Sequence, residues 1–167
     1  SCDVCNSEPD ERLWQEIADE EKAVRETVKL EQINKWLPIQ ATRQAYKRLG
    51  KDPNRYRPSS EALRRRILRE LPLYKVDTLV DLINLVSIRS GYSIGGFDAD
   101  KIAGGSLVLG VGREGEIYHG IGRGELNIAG LPVYRDAVGG VGTPTSDEER
   151  TKIGLDTTHL LMIINAY

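Results

Sequence analysis

The sequence predicts an α+β fold in which N-terminal helices pack on a mixed or antiparallel sheet. Apolar residues recur at helical spacing through the first half, as in Leu13, Ile17 and Val24. The second half holds short β-rich segments and most of the chain's 17 glycines. Helices first and strands later are typical of α+β proteins, and 167 residues suffice for one domain with a real hydrophobic core.

Four helices are predicted, each bounded by residues that favour helix ends. Acids and a proline open the first, Pro38 suits the first turn of the second, and Ser59 or Ser60 and then Asp77 cap the other two. A glycine or proline stops each of the last three. The predicted bounds are about 7–30, 37–49, 59–72 and 77–91.

Four short strands are predicted in the second half, at 106–111, 116–121, 131–135 and 160–165. Gly95-Gly96 is expected to form a tight turn ahead of them, although a glycine pair also permits close approach of the backbone to a ligand. Residues 110–115 match the dinucleotide fingerprint GxGxxG, but a predicted strand follows where the pyrophosphate-binding helix should begin. The segment is therefore predicted to be a glycine-rich hairpin and not a nucleotide site.

Charge divides the chain into three stretches of one predicted domain, 1–167. Residues 1–36 form an acidic helical arm with nine acids between Glu8 and Glu31, and residues 37–91 are helical with ten Lys or Arg between Arg43 and Arg69. Residues 92–167 form a glycine-rich sheet. A basic stretch of this kind is typical of a nucleic-acid-binding face. The net charge of −2 argues against tight non-specific binding to phosphates.

Neither a membrane partner nor a metal or other cofactor is expected. No apolar run is long enough to span a bilayer, so we expect a cytoplasmic protein. The only cysteines, Cys2 and Cys5, form a CxxC pair, but His119 and His159, which would have to complete a zinc site, stand far off in the sequence. Because the chain begins at Ser1 and not at a methionine, the sequence leaves open a further segment ahead of it.

The predicted helix at 77–91 carries a narrow polar stripe on an otherwise apolar surface. Asp81, Asn84 and Ser87 recur at every third position. On one interpretation this stripe faces water. On the other, Asn84 lies on a pocket wall, where a half-buried amide needs partners and can bind a hydroxyl or amine of a ligand. The pattern alone favours neither interpretation.

Residues 79–102 carry a string that resembles a known family. Asn84, then Gly91, then Gly-Gly-Phe-Asp-Ala-Asp-Lys at 95–101 is similar to the pattern Thr-Asn-Tyr-Val, Gly-x-Pro, His-Ala-Phe-Asp-x-Asp-Lys of the editing domain of the phenylalanyl-tRNA synthetase beta subunit. The segments Arg-Pro-Ser-Ser-Glu at 57–61 and Ser-Asp-Glu-Glu-Arg-Thr-Lys at 146–152 resemble free-standing forms of that domain. The likeness spans most of 40–165 and implies a layered helix-and-sheet fold with a tRNA-related function.

The resemblance also implies a substrate pocket. The family's pocket asparagine falls on Asn84, and the other implied members are Gly95, Gly96, Asp136, Gly139 and Arg150. The family's pocket histidine falls on Gly95 and its glutamate on Ile163, so hydrolysis of a mischarged aminoacyl-tRNA is expected to be slow or absent. Asp98 and Asp147 are candidates for a replacement carboxylate.

The sequence thus predicts a free-standing synthetase-related domain that binds RNA or aminoacyl-tRNA, as an editing-type hydrolase or a degenerate form of one. The alternatives are a non-catalytic binding domain for an amino acid or similar small polar metabolite, and a partner-binding remnant that uses the acidic first helix. A solvated helix face, with Arg65 paired to Glu61, would explain the arginines equally well. The predicted RNA contacts are Arg57, Arg64, Arg65, Arg69 and Lys152, with Tyr56 stacking on a base.

Overall fold

The computed structural model describes residues 1–167 and confirms the α+β class. A short strand, β1 (Cys2–Asp3), comes first. Four helices follow, which are α1 (Glu11–Thr27), α2 (Leu37–Arg48), α3 (Ser59–Leu68) and α4 (Thr78–Ser90). Short 3₁₀ segments occupy Leu30–Lys35, Ala99–Lys101, Ala103–Gly105 and Glu149–Thr151. No helix has the length and apolar character needed to cross a membrane.

The helix ends follow from local chemistry. The carboxylates of Asp10 and Asp77 accept hydrogen bonds from amides in the first turns of α1 and α4. Gly91 ends α4 with a φ of 80°, as predicted. Two predicted ends are wrong, since α1 stops at Thr27 and α3 at Leu68. The α3 helix is interrupted at Glu70, whose φ of 55° is left-handed, and Pro72 disfavours helical conformation in the residue before it, so the helix does not resume.

The first sheet is antiparallel and has the strand order β1-β8-β2, formed with β2 (Ser93–Asp98) and β8 (His159–Asn165). The tight turn predicted at Gly95-Gly96 is wrong, because both glycines lie inside β2. Their lack of side chains serves close packing. A methyl group on Gly95 would lie 2.7 Å from the Phe97 ring, and one on Gly96 would lie 2.7 Å from Ile83.

The second sheet has the order β3-β6-β7, with β3 (Val108–Val111), β6 (Pro132–Arg135) and β7 (Gly140–Gly142). A two-stranded ribbon, β4 (His119–Gly120) and β5 (Gly124–Glu125), stands beside it. The strand predicted at 116–121 is therefore reduced to two residues. The hairpin predicted at 110–115 is also wrong, because β3 pairs with β6 and Gly112 packs directly against the backbone at Ile128.

Helix α4 lies between two parts of the core. Its Ile88 packs with Val24 of α1 and Ile67 of α3, while its Ile83 packs with Ile153 and Leu160 next to the first sheet. A separate cluster joins α2 to the second sheet through Tyr46, Tyr118, Ile128, Leu131 and Val133. The polar stripe on α4 is thus held between helices on one side and sheet on the other.

Candidate functional site

The polar stripe of α4 faces inward. Asp81 and Ser87 are only 1% and 2% exposed, whereas Leu82 and Val86 on the opposite side are 45% and 44% exposed. The interpretation in which the stripe faces water is therefore wrong. Buried polar groups need hydrogen-bond partners, and the three residues of the stripe differ in whether the protein supplies them.

Two of the three stripe residues have protein partners. The Asp81 carboxylate accepts hydrogen bonds from the Trp14 indole at 2.7 Å and from the Val76 amide at 3.1 Å. The Ser87 hydroxyl donates to the carbonyl of Tyr92 at 2.6 Å. Asn84, between them, is half-buried, and its carboxamide makes no hydrogen bond with the protein. It is the stripe residue that is available to a ligand.

Asn84 lies where three depressions in the surface meet. It lines an apolar pocket beside Trp14, a groove rich in arginine, and a cavity of about 270 Å³. The polar side chains of that cavity are Asn84, Asp147 and Lys152, and most of its other lining residues are aliphatic. Cavities with apolar walls and a few placed polar groups are typical of small-molecule sites. We call this one the Asn84 cavity.

The Asp147 carboxylate occupies a recess made by glycines. Its Oδ2 accepts a hydrogen bond from the Gly96 amide at 3.1 Å. Its Oδ1 lies only 3.1 Å and 3.0 Å from where methyl groups would stand on Gly95 and Gly142. The Ile121 amide donates to the Asp147 carbonyl at 3.0 Å, which fixes the backbone. The carboxylate fits here because these glycines have no side chains.

Burial raises the pKa of Asp147 to about 7, and the single hydrogen bond from the Gly96 amide offsets this only in part. A carboxyl group with this pKa exchanges its proton near neutral pH. It can therefore take a proton from a ligand or water in the Asn84 cavity, and give it back, without a large energetic penalty.

Several predicted pocket residues lie elsewhere. Asp136 forms a two-pronged ion pair with Arg150, at 2.8 and 3.0 Å, and accepts amide hydrogen bonds that include one from Gly139. Burial would raise the pKa of Asp136, but Arg150 and the amides outweigh it and hold the pKa below its ordinary value. None of these three residues lines the Asn84 cavity, so they form a structural cluster of their own. Two predicted pocket residues, Asn84 and Gly96, do line the cavity. Gly95 does not line it but lies next to the Asp147 carboxylate.

Asp98, the other candidate carboxylate, is also structural. It is 5% exposed, and its side chain accepts from the Thr157 hydroxyl at 3.0 Å and from Lys101 at 3.2 Å. Burial would raise the pKa of Asp98, but these partners outweigh it and lower the pKa. Asp98 does not line the Asn84 cavity.

An arginine-lined groove of about 400 Å³ runs away from Asn84. Arg65 and Arg66 in its wall are already bonded to the Glu61 carboxylate and the Pro72 carbonyl. Three other arginines of the groove make no ion pair and no side-chain hydrogen bond with the protein. These are Arg57, Arg69 and Arg123. Arg123 was not predicted, because it comes from the turn between β4 and β5 and joins the groove only in three dimensions. We call this feature the arginine groove.

One predicted RNA contact is buried. Arg64 is 7% exposed, its guanidinium lies 3.5 Å from the centre of the Trp36 ring, and it donates to the carbonyl of Ile88. Burial lowers its pKa to about 10. The prediction that Arg64 contacts RNA is therefore wrong, because its guanidinium is enclosed by protein.

Two further predicted RNA contacts, Lys152 and Tyr56, also have protein partners. Lys152, at the cavity, is exposed and paired with Glu149. Tyr56, predicted to stack on a base, already carries Lys51 over its ring at 3.7 Å. The predicted pairing of Arg65 with Glu61 is confirmed, at 2.8 Å.

The two positions at which the resembling family carries polar pocket residues are direct neighbours. Gly95 of β2 pairs across the strands with Ile163 of β8. Neither histidine of the chain lies at this place, since His119 is near Glu148 and His159 is bonded to Asp100. The carboxylate nearest to Gly95 is Asp147.

A comparison with protein families finds a match to the B3/4 domain over residues 41–167. The matched region includes Asn84, the arginine groove and Asp147, and it leaves out α1. A search of curated proteins finds no sequence that matches the chain.

Proposed function

Since the chain belongs to the B3/4 domain family, a domain found in the beta subunit of phenylalanyl-tRNA synthetase, we propose that it binds the 3′ end of an aminoacyl-tRNA. In this proposal, phosphates of the 3′ strand lie in the arginine groove, and the esterified amino acid enters the Asn84 cavity. The observation that carries the proposal is the position of Asn84, unpaired, at the junction of the two.

The arginine groove supports the binding of phosphates. Arg57, Arg69 and Arg123 line it without a protein partner, so binding a phosphate breaks no existing ion pair. A guanidinium can donate two parallel hydrogen bonds to a phosphate, and such charge-assisted bonds are stronger than neutral ones. In the same wall the Arg66 guanidinium lies 4.5 Å from the centre of the Tyr74 ring, and Tyr74 is 70% exposed.

The Asn84 cavity supports the binding of the amino acid. Aliphatic side chains such as Ile83 and Ile94 line it and can cover an apolar side chain of the ligand. The Asn84 carboxamide offers an acceptor for an ammonium group and donors for an ester carbonyl. A half-buried amide that has no other partner gains most from such a ligand.

The salt dependence of tRNA binding tests the proposal. We expect the logarithm of the affinity to fall linearly with the logarithm of the salt concentration, with a slope of about 0.7 for each phosphate bound as a single strand. Changing Arg57, Arg69 and Arg123 together to Gln should reduce that slope by about 2. The matched control changes Lys47, Arg48 and Arg55 to Gln, because these three are exposed and lie outside the groove.

Equal slopes for the groove variant and the control variant would contradict the proposed path of the RNA. Binding by the wild type that does not depend on salt would contradict the role of phosphates altogether.

A second candidate function is binding of a free amino acid without catalysis. The observation that favours it is the presence of Asp147 and Lys152 in one cavity, since opposite charges match an ammonium and a carboxylate. Isothermal titration of the wild type with a panel of free amino acids decides this. Saturable binding of an amino acid, together with no binding of tRNA, would replace the first proposal by the second.

A further inference from the structure

We propose that Asp147 is the catalytic base of this site, which takes the proton from the water that hydrolyses the aminoacyl ester in the Asn84 cavity. The inference rests on the proposed function and adds the hydrolytic step to it. It also chooses Asp147 over Asp98, the two candidates for a replacement carboxylate, and it revises the expectation that hydrolysis is slow or absent.

The first argument is one of position. Asp147 Oδ1 lies 3.1 Å from the point where a side chain on Gly95 would begin. A carboxylate from another segment therefore occupies the space next to the backbone of Gly95. The same carboxylate lines the Asn84 cavity, so a water or an ester held there has access to it.

The second argument comes from comparison with two structural aspartates of the same chain. Asp136 has an arginine and three amides as donors, and Asp98 has a hydroxyl, an ammonium and an amide. Asp147 has one donor, the Gly96 amide, which binds Oδ2 and leaves Oδ1 without a protein partner. A carboxylate that only stabilised the fold would be expected to have more donors.

The direction of the pKa shifts agrees with this difference. The pKa values of Asp98 and Asp136 are lowered, so both carboxylates remain ionised and poorly basic. The pKa of Asp147 is raised to about 7 by burial. A general base works best when its pKa lies near the working pH.

The chemical step balances without any further reactant. Asp147 Oδ1 takes a proton from water while the water oxygen forms a bond to the ester carbonyl carbon. The carbonyl oxygen, on which negative charge develops, accepts a hydrogen bond from the amide nitrogen of Asn84. The intermediate then breaks the bond between the carbonyl carbon and the ribose oxygen, and the proton on Asp147 passes to that oxygen. The products are a free amino acid and a tRNA with an intact terminal hydroxyl.

Other charged or titratable groups near Asp147 are few. Lys152 shares the cavity and is paired with Glu149, and the Tyr118 hydroxyl donates to the carbonyl of Ser146 at 2.7 Å. Burial raises the pKa of Tyr118 above its ordinary value, so this phenol stays protonated in the range of interest. Glu148, the next residue along the chain, faces Arg150 and His119. His119 is therefore the residue to control for in a pH experiment.

The test uses three proteins, which are the wild type, Asp147→Asn and the control His119→Gln. Each is given tRNA esterified with tyrosine, phenylalanine or other amino acids, and hydrolysis is followed from pH 5.5 to 8.5. We expect wild-type kcat/KM to rise with pH through about 7 and then to level off, because the base must be ionised. His119→Gln should keep this profile. Asp147→Asn should lose it and should be slower by a factor of about 100 to 10,000.

Binding is measured separately, with an analogue in which the amino acid is joined to the tRNA 3′ end by an amide and cannot be hydrolysed. Asparagine has nearly the shape of a protonated aspartic acid, so we expect Asp147→Asn to fold. The affinity of each protein for this analogue separates any loss of binding from the loss of kcat, and we expect the loss at position 147 to be mainly in kcat. If that variant does not fold, the pH profiles of the wild type and of His119→Gln decide the question between them.

Three results would overturn the inference. One is an Asp147→Asn variant that hydrolyses the esters at the wild-type rate. Another is a wild type that binds the analogue but hydrolyses no ester above background, which would leave the proposed binding function intact. The third is a flat pH profile for an active wild type. Failure of the wild type to bind the analogue would instead contradict the proposed function itself.

Discussion

The raised pKa of the Asp147 carboxyl predicts an unusual dependence of stability on pH. Its pKa is about 7 in the folded protein and near its ordinary value of 3.8 in the unfolded chain. Between these values the folded state holds a proton that the unfolded state has released. Stability is therefore greatest below the unfolded pKa and falls as the pH rises to the folded pKa.

The expected loss of stability follows from the difference between the folded and the unfolded pKa of Asp147. Each pH unit within it costs about 1.4 kcal/mol, so raising the pH from 5 to 8 should remove about 2 to 3 kcal/mol of the free energy of unfolding. Asparagine at position 147 cannot ionise, so the Asp147→Asn variant should not show this loss. The variant should thus gain about 2 to 3 kcal/mol relative to the wild type over the same range.

The assay is urea denaturation of both proteins at pH 5, 6, 7 and 8. The exposed His159, whose pKa the hydrogen bond with Asp100 raises, also loses a stabilising interaction as the pH rises through its folded pKa. Its contribution is common to the two proteins and cancels in their difference. If the difference between wild type and variant does not change from pH 5 to pH 8, the pKa of Asp147 is not raised as described.

Three further substitutions follow from the contacts. Glu61→Gln should lower the free energy of unfolding by about 3 to 5 kcal/mol in chemical denaturation, because it leaves buried Arg43 without its charged partner; a loss under 1 kcal/mol would contradict this. Gly142→Ala should cost about 1 to 3 kcal/mol, since the new methyl group would lie 2.5 Å from the Phe97 ring, and a melting temperature equal to that of the wild type would show that the ring has room to move. Asn84→Ala should change the free energy of unfolding by less than about 0.5 kcal/mol, because the Asn84 amide has no protein partner. The same substitution should weaken binding of the amide-linked analogue, and unchanged binding would show that Asn84 is not part of the site.

The features predicted correctly from the sequence are those decided by near neighbours along the chain. The aspartate cap of α4 and the glycine after that helix depend on a few consecutive residues, and the structure has them as predicted. The start of α1 was predicted near residue 7, whereas Asp10 caps the helix and Glu11 begins it. The α+β class depends on a change of periodicity that is visible over half the chain. Asn84 was singled out by a stripe of three polar residues together with the family resemblance.

The errors concern features that are set by distant parts of the chain. The glycines of β2 looked like a turn, but they are small because Phe97 and Ile83 need the space. Arg64 looked exposed in a basic run, because nothing nearby in the sequence shows that Trp36 covers it. Arg123 and the recess around Asp147 depend on a ribbon and on a loop whose positions could not be read from a single sequence.

The stacking of Arg64 on Trp36 has a consequence for how the chain can vary. The guanidinium is flat, covers the indole ring, and still donates two hydrogen bonds to the Ile88 carbonyl at the end of α4. Lysine keeps the charge but can do neither in this geometry. In related chains we therefore expect arginine and lysine to exchange freely at positions 47 and 48, which are exposed and lie outside the arginine groove. At position 64 we expect arginine to persist, as the residue that fixes the end of the helix from which Asn84 projects.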